Sequence, residues 1–133
     1  MLATWGYPKY QGSGVIINAR AETAAEKPTF REGVLHRRCV VPSTGFYEWD
    51  AEKRKYWFTL PGKKMLYMAG ICREYAGQLR YVILTTAANP SMADVHHRMP
   101  VILPQDKLMM WAFDTNAALQ YLSGVMPVLE RRG

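Results

Sequence analysis

Three short polar clusters in this 133-residue chain carry the residue types that acid–base and phosphate chemistry require. The first is Asn18-Ala19-Arg20-Ala21-Glu22-Thr23, directly after the β-branched run Val15-Ile16-Ile17. An amide offers both a donor and an acceptor, and a guanidinium offers a fork suited to phosphate. The same spacing also suits Asn18 as a helix N-cap with Glu22 in the first turn, and both readings stand open. The second is Gly45-Phe46-Tyr47-Glu48-Trp49. A carboxylate buried beside aromatic rings would be raised in pKa and suited to general acid–base work. Strict strand alternation equally permits Glu48 to face solvent between inward-facing Tyr47 and Trp49. The third is Asp94-Val95-His96-His97-Arg98-Met99-Pro100. A histidine titrates near neutral pH and can shuttle protons, and Arg98 suits an anionic substrate. The alternative is an exposed loop histidine. Adjacent histidines on a regular element point in different directions, which argues against one metal held by both. None of the clusters is a zinc, P-loop or Rossmann signature.

The elements that must present these residues can be read from period and punctuation. Gly6 to Gly14 is a loop broken by Pro8 and glycines. Val15-Ile16-Ile17 is a buried strand that delivers Asn18 at its end. Ala19 to Lys27 is rich in Ala and Glu, which predicts a helix limited by Pro28; a second short helix starts near Pro28 and turns Phe30, Val34 and Leu35 to one side. Strands are predicted at Arg38–Trp49, Tyr56–Leu60, Met65–Cys72 and Leu79–Thr86, separated by turn-prone stretches such as Pro61-Gly62-Lys63 and Tyr75-Ala76-Gly77. Asn89-Pro90-Ser91 begins a helical turn, and Val101-Ile102-Leu103 is a further strand. Pro104 opens a helix carrying Leu108, Met109, Trp111 and Phe113, and Asp114 or Thr115 caps a last helix ending at Gly124. The expectation is an α+β domain with a mostly antiparallel sheet or barrel-like core and short flanking helices.

Composition narrows the function classes. Apolar residues make up 49% of the chain, which argues against disorder. No apolar run approaches the ~20 residues of a membrane-spanning helix, and the N-terminus does not read as a secretory signal. The two cysteines, Cys39 and Cys72, fit a reducing cytosol better than a disulfide framework, and neither sits in a CxxC pair. Both are expected to be buried and inert, flanked by β-run residues. The net charge is +6, and residues 27–64 concentrate nine Lys/Arg against four acids. A clustered positive field suits a polyanion, nucleic acid first, or else a solvated basic face.

Taken in order, WG at Trp5-Gly6, NARAET at Asn18–Thr23, RRCVVPSTGFYEW at Arg37–Trp49, LTTAAN at Leu84–Asn89 and VHHRMPVIL at Val95–Leu103 span most of the chain. In this combination the chain resembles the SRAP family, the SOS response-associated peptidases. The resemblance implies a protein that binds single-stranded DNA and captures abasic sites, with autopeptidase and lyase-type chemistry. Family members begin Met-Cys-Gly-Arg. The terminal cysteine condenses with the ring-opened sugar, first as a Schiff base and then as a thiazolidine. By the same resemblance, Asn18 positions the sugar, Glu48 shuttles protons and His96 acts as acid or base on the sugar. Arg20 and Arg98 bind flanking phosphates, Trp49 stacks on a base near the junction, and Thr85 matches a site position. The family's sites use no metal and no cofactor.

This chain departs from that pattern. It begins Met1-Leu2-Ala3-Thr4-Trp5, so the nucleophilic cysteine and its neighbouring Arg are missing, and His97 stands where relatives often carry Asp. The expectation is therefore one SRAP-like domain over residues 1–133, truncated at the N-terminus relative to the family and unable as written to form the thiazolidine. It would be cytoplasmic, and nucleoid-associated when DNA-bound. The competing functional readings are a non-covalent single-stranded-DNA-binding module or inactive remnant, and an anionic-metabolite enzyme that would need a deep, narrow pocket.

Overall fold

The computed structural model describes residues 2–133. In chain order the strands are β1 (Thr4–Trp5), β2 (Tyr7–Pro8), β3 (Val15–Ile16) and β4 (Asn18–Arg20), then helix α1 (Pro28–His36). Strands β5 (Arg38–Ser43), β6 (Phe46–Trp49), β7 (Lys55–Thr59), β8 (Leu66–Tyr75), β9 (Gln78–Ala87), β10 (Arg98–Pro100) and β11 (Ile102–Leu103) follow. Helices α2 (Leu108–Phe113) and α3 (Thr115–Tyr121) and strand β12 (Glu130–Arg132) complete the chain. The centre is the long β8–β9 hairpin. Its tip, Ala76-Gly77, has φ of 50° and 79°. A two-residue hairpin turn that matches strand twist needs positive φ at both positions, and glycine takes one of them without strain.

This hairpin organises a seven-stranded sheet. Strand β9 pairs in parallel with β1 and β4 and antiparallel with β10, while β8 carries β5 and β11 antiparallel. A separate three-stranded antiparallel sheet runs β12-β7-β6. The fold is α+β and mostly antiparallel, as the sequence implies. Alternation assigns the two faces of the large sheet. Ala69, Ile71, Val82 and Leu84 face the main core with Val34, Trp111 and Ala118 from the helices. The indole N–H of the fully buried Trp111 donates to Cys39 O, and Arg38 donates to the carbonyls of Trp111 and Val34, tying both helices to β5. The other face carries a smaller cluster, Leu66, Met68 and Ile83, against which Phe46 of β6 packs.

Four expectations need correction. Residues 19–27 are not helical: Asn18–Arg20 form β4, and turns follow through Glu26. Ala19, Ala21 and Ala24 are buried because small side chains allow β4 and its turn to lie close on the sheet, so packing overrides helix propensity. Val15–Ile17 is not a buried strand. It pairs with Tyr7–Pro8 in a two-stranded ribbon whose open side leaves Val15 and Ile17 more than 40% exposed. The Arg38–Trp49 run is two strands in two sheets, broken at Thr44-Gly45. A Cβ on Gly45 would lie 2.5 Å from Phe58 O and 2.6 Å from the Trp57 ring, so only glycine lets the chain cross between sheets there. Strands β10 and β12 were not foreseen, being short and without alternation.

Candidate functional site

Glu48 lies on β6, where Phe46 and Glu48 turn inward and Tyr47 and Trp49 turn out. The rings that flank Glu48 in sequence therefore point away from it. This overturns the picture of a carboxylate walled in by Tyr47 and Trp49, and also the picture of Glu48 in solvent between them. What Glu48 meets is an imidazole: its Oε2 lies 3.8 Å from His96 Nδ1. Both side chains are about two-thirds covered. His96 sits in the irregular turn that leads into β10, where its Nδ1 lies 3.2 Å from both the amide nitrogen and the carbonyl oxygen of Arg98. The neutral ring accepts from that amide N–H. The protonated ring donates from Nδ1, to Arg98 O or toward the carboxylate. The His97 ring lies 4.7 Å from that of His96, tilted by 31°, because this turn is irregular and lets the two neighbours approach each other. No group of three or more His, Cys, Asp or Glu among the described residues is placed to hold a metal ion.

Sheet register places the remaining residues. Asn18 pairs with Ile83, Arg20 with Thr85, Pro100 with Thr85 and Arg98 with Ala87. Register partners project to the same side. Asn18, Arg20, Thr85 and Arg98 therefore share one face of the large sheet. That is the face on which Phe46, two residues before Glu48, packs beside Ile83, the register partner of Asn18. Two links between segments far apart in sequence are thus present: Glu48 with His96, and the β4 residues Asn18 and Arg20 with Thr85 and Arg98 on one sheet face.

Arg98 is not a free phosphate ligand. Its guanidinium makes a bidentate pair with Glu22 (2.6 and 2.7 Å) and donates to Thr85 O (2.8 Å) and Oγ1 (3.2 Å). The Arg98 hydrogen bond, aided by nearby Arg20, pulls the Glu22 carboxyl down to about 2. Glu22 is a site residue that the helical reading of residues 19–27 concealed; its place in the NARAET run was the available signal. Thr85 serves as the acceptor that orients Arg98. Arg20 is exposed and makes no side-chain hydrogen bond among the described residues. Trp49 is 48% exposed on the outer face of β6, where Lys55 Nζ lies 4.0 Å from the Tyr47 ring centre and 5.9 Å from that of Trp49. It faces away from Glu48, so any stacking by Trp49 happens at the rim. Cys39 and Cys72, expected to be buried and inert, are half-buried, neither fully enclosed nor open.

Two clefts, of about 530 and 410 Å³, are lined by residues other than Asn18, Glu48 and His96. Asn18 and Arg20 are exposed on the large sheet, while Glu48 and His96 are half-buried. A sheet-and-helix domain presenting a carboxylate–imidazole pair beside cations is the class these features define.

The chain belongs to the SOS response associated peptidase (SRAP) family, whose sequence profile it matches over residues 1–130. It is 35% identical over 120 residues to Abasic site processing protein YoaM of Bacillus subtilis (strain 168), covering 84% of this chain and 53% of that protein. It is 30% identical over 115 residues to Abasic site processing protein YedK of Escherichia coli (strain K12), covering 80% and 52%. A crystal structure of a protein from Bacteroides thetaiotaomicron superposes with a TM-score of 0.77 at 32% identity, covering 86% of this chain and 56% of that one. The chain spans about half the length of the curated bacterial relatives it matches. No helix of the described residues is long and apolar enough to cross a membrane.

Proposed function

We propose that this chain is an abasic-site processing domain that takes single-stranded DNA across the open face of its large sheet. Asn18 orients the ring-opened sugar. Glu48 and His96 move the protons, and Arg20, Arg98, Thr85 and Trp49 hold the strand. The observation that supports this reading is the Glu48–His96 approach of 3.8 Å between segments far apart in sequence. The family relatives, named as abasic site processing proteins, support the substrate class.

The chemistry follows from the groups. Condensation of a primary amine of the chain, its α-amine or a lysine, with the sugar aldehyde gives a Schiff base that water reverses. The step must shed a hydroxyl as water, so a neighbouring acid speeds it, and its reversal needs the matching base. Glu48 can hold that proton and exchange it with His96. Strand cleavage by elimination needs a base at the sugar carbon next to the imine, and the part-exposed His96 ring acts as that base. Arg20 binds phosphate directly. Arg98 binds it by exchanging the Glu22 carboxylate for a phosphate oxygen, without leaving its Thr85 acceptors.

The test uses end-labelled single-stranded oligonucleotides with one abasic site, their intact counterparts, and duplex controls. The chain should prefer single strands to duplex. Glu48→Gln and His96→Gln should retain binding while losing processing of the abasic strand, and Asn18→Ala should lower both. Equal affinity for duplex and single strand, or unchanged processing in both the Glu48 and His96 variants, would refute the assignment.

A further inference from the structure

Cys39 and Cys72 are the unexplained nucleophiles of this molecule. Cys39 is in register with Gly70 across β5 and β8, so Cys72 lies one diagonal step away on the same sheet face. Gly70 makes their meeting possible. A Cβ there would fall 2.9 Å from Cys39 Sγ, so the Cys39 thiol lies over the bare glycine backbone and reaches across β8. The two thiols project from the same face on neighbouring strands, both are half-buried, and neither is in a disulfide. As a thiol, Cys72 also donates to Arg37 O at 3.4 Å.

We propose that Cys39 and Cys72 form a redox-modifiable dithiol that small-molecule disulfides convert into an intramolecular disulfide, with Cys72 attacking first and Cys39 resolving. In the first step the Cys72 thiolate attacks one sulfur of a disulfide RSSR. A Cys72–SR bond forms and one RS⁻ leaves to take up a proton. In the second step Cys39 gives up its proton and its sulfur attacks Cys72 Sγ, forming the Cys39–Cys72 bond and expelling the second RS⁻. Two protein thiols are oxidised, one RSSR is reduced, and two RSH are released. The order of attack follows from the surroundings. The Cys39 hydrogen bond, with the Arg37 guanidinium nearby, holds the Cys72 thiol down to about 7. The same hydrogen bond and burial push Cys39 up. A thiolate is the attacking species in such exchange, and its resolving partner must be within reach. The bond would join β5 to β8 on the face that carries Asn18 and Arg20.

The experiment treats the whole chain with glutathione disulfide at neutral pH and reads intact mass and alkylation of each cysteine. Wild type should become lighter by two hydrogen atoms and lose both alkylation sites, and a reducing dithiol should restore them. Cys39→Ser should trap a glutathione adduct on Cys72. Cys72→Ser should stay largely unmodified. Initial alkylation of Cys72 should exceed that of Cys39 by at least about tenfold, because the lowered Cys72 thiol ionises and the raised Cys39 thiol does not. Wild type that retains two free thiols, or adducts that form as fast on Cys39 in Cys72→Ser as on Cys72 in Cys39→Ser, would overturn the proposal. The wild-type mass reading does not depend on either variant folding.

Discussion

Arg98 shows how one side chain serves packing and charge together. It is only 12% exposed, its Nε is buried without a partner among the described residues, and its two terminal nitrogens are spent on Glu22 and Thr85. Because Glu22 is 46% exposed, solvent screens the pair, and its worth is well below that of a buried one. The pairing still has a pH signature. Folding lowers the Glu22 pKa from 4.5 to about 2. The carboxylate therefore binds protons more readily in the unfolded chain, and stability falls as pH falls. The contribution is fully present above pH 4.5 and disappears as pH drops through that value to about 2. Glu22→Gln removes the titrating group, so its melting temperature should fall less steeply with acid over this window than that of wild type. Thermal melts of both proteins across the window measure the difference. Parallel curves would mean that the Glu22–Arg98 pair does not persist in solution.

At the scale of elements, the passage from β5 to β6 decides where Glu48 points. Gly45 lets the chain leave the large sheet against Phe58 O and the Trp57 ring, and the register Glu48↔Tyr56 then turns the carboxylate inward. Gly45→Ala should destabilise the fold by about 1–3 kcal/mol, the usual cost of forcing a methyl into filled space. Urea unfolding should show a lower midpoint with an unchanged slope. An unaffected midpoint would show that β6 can shift and that the sheet crossing is not fixed by this contact. The same junction explains how far the sequence could be read. The β8–β9 hairpin was legible because β-branched runs flank a Gly-containing turn, and the capping of α3 was legible in Asp114, whose carboxylate accepts from Ala117 N–H at 3.1 Å. The orientation of Glu48 was not legible, because alternation gives two faces without saying which is covered. That is settled by a second sheet formed with β7 and the distant β12. The Ala-rich stretch 19–27 misled because helix propensity and close sheet packing both favour alanine. The thiol pair was hidden because Cys39 and Cys72 meet only through the β5–β8 register.

For the whole molecule, the net charge of +6 overstates what is available to a polyanion. Within the basic window, Arg37 pairs with Glu32, Arg54 with Asp50 and Glu52, and Arg38 spends its donors on helix carbonyls. Outside it, Arg131 pairs with Asp94 and Arg98 with Glu22. Arg20 is the cation on the site face that carries no ion pair among the described residues. These pairings turn the DNA-binding proposal into a counting experiment. Each phosphate neutralised on a single strand contributes a slope of about −0.7 to the plot of log affinity against log salt, because condensed counterions are released. Arg20→Ala should flatten the slope by about 0.7, one contact's worth. Glu22→Gln should steepen it by a similar amount, about 0.7, because Arg98 then meets phosphate without first giving up a carboxylate. The second expectation separates a latent contact from a purely structural arginine. If Arg98 only braces Thr85 and Glu22, removing the carboxylate charge leaves the slope unchanged. Fluorescence anisotropy titrations of a labelled single strand across a salt series, run on wild type and both variants, would read these slopes directly.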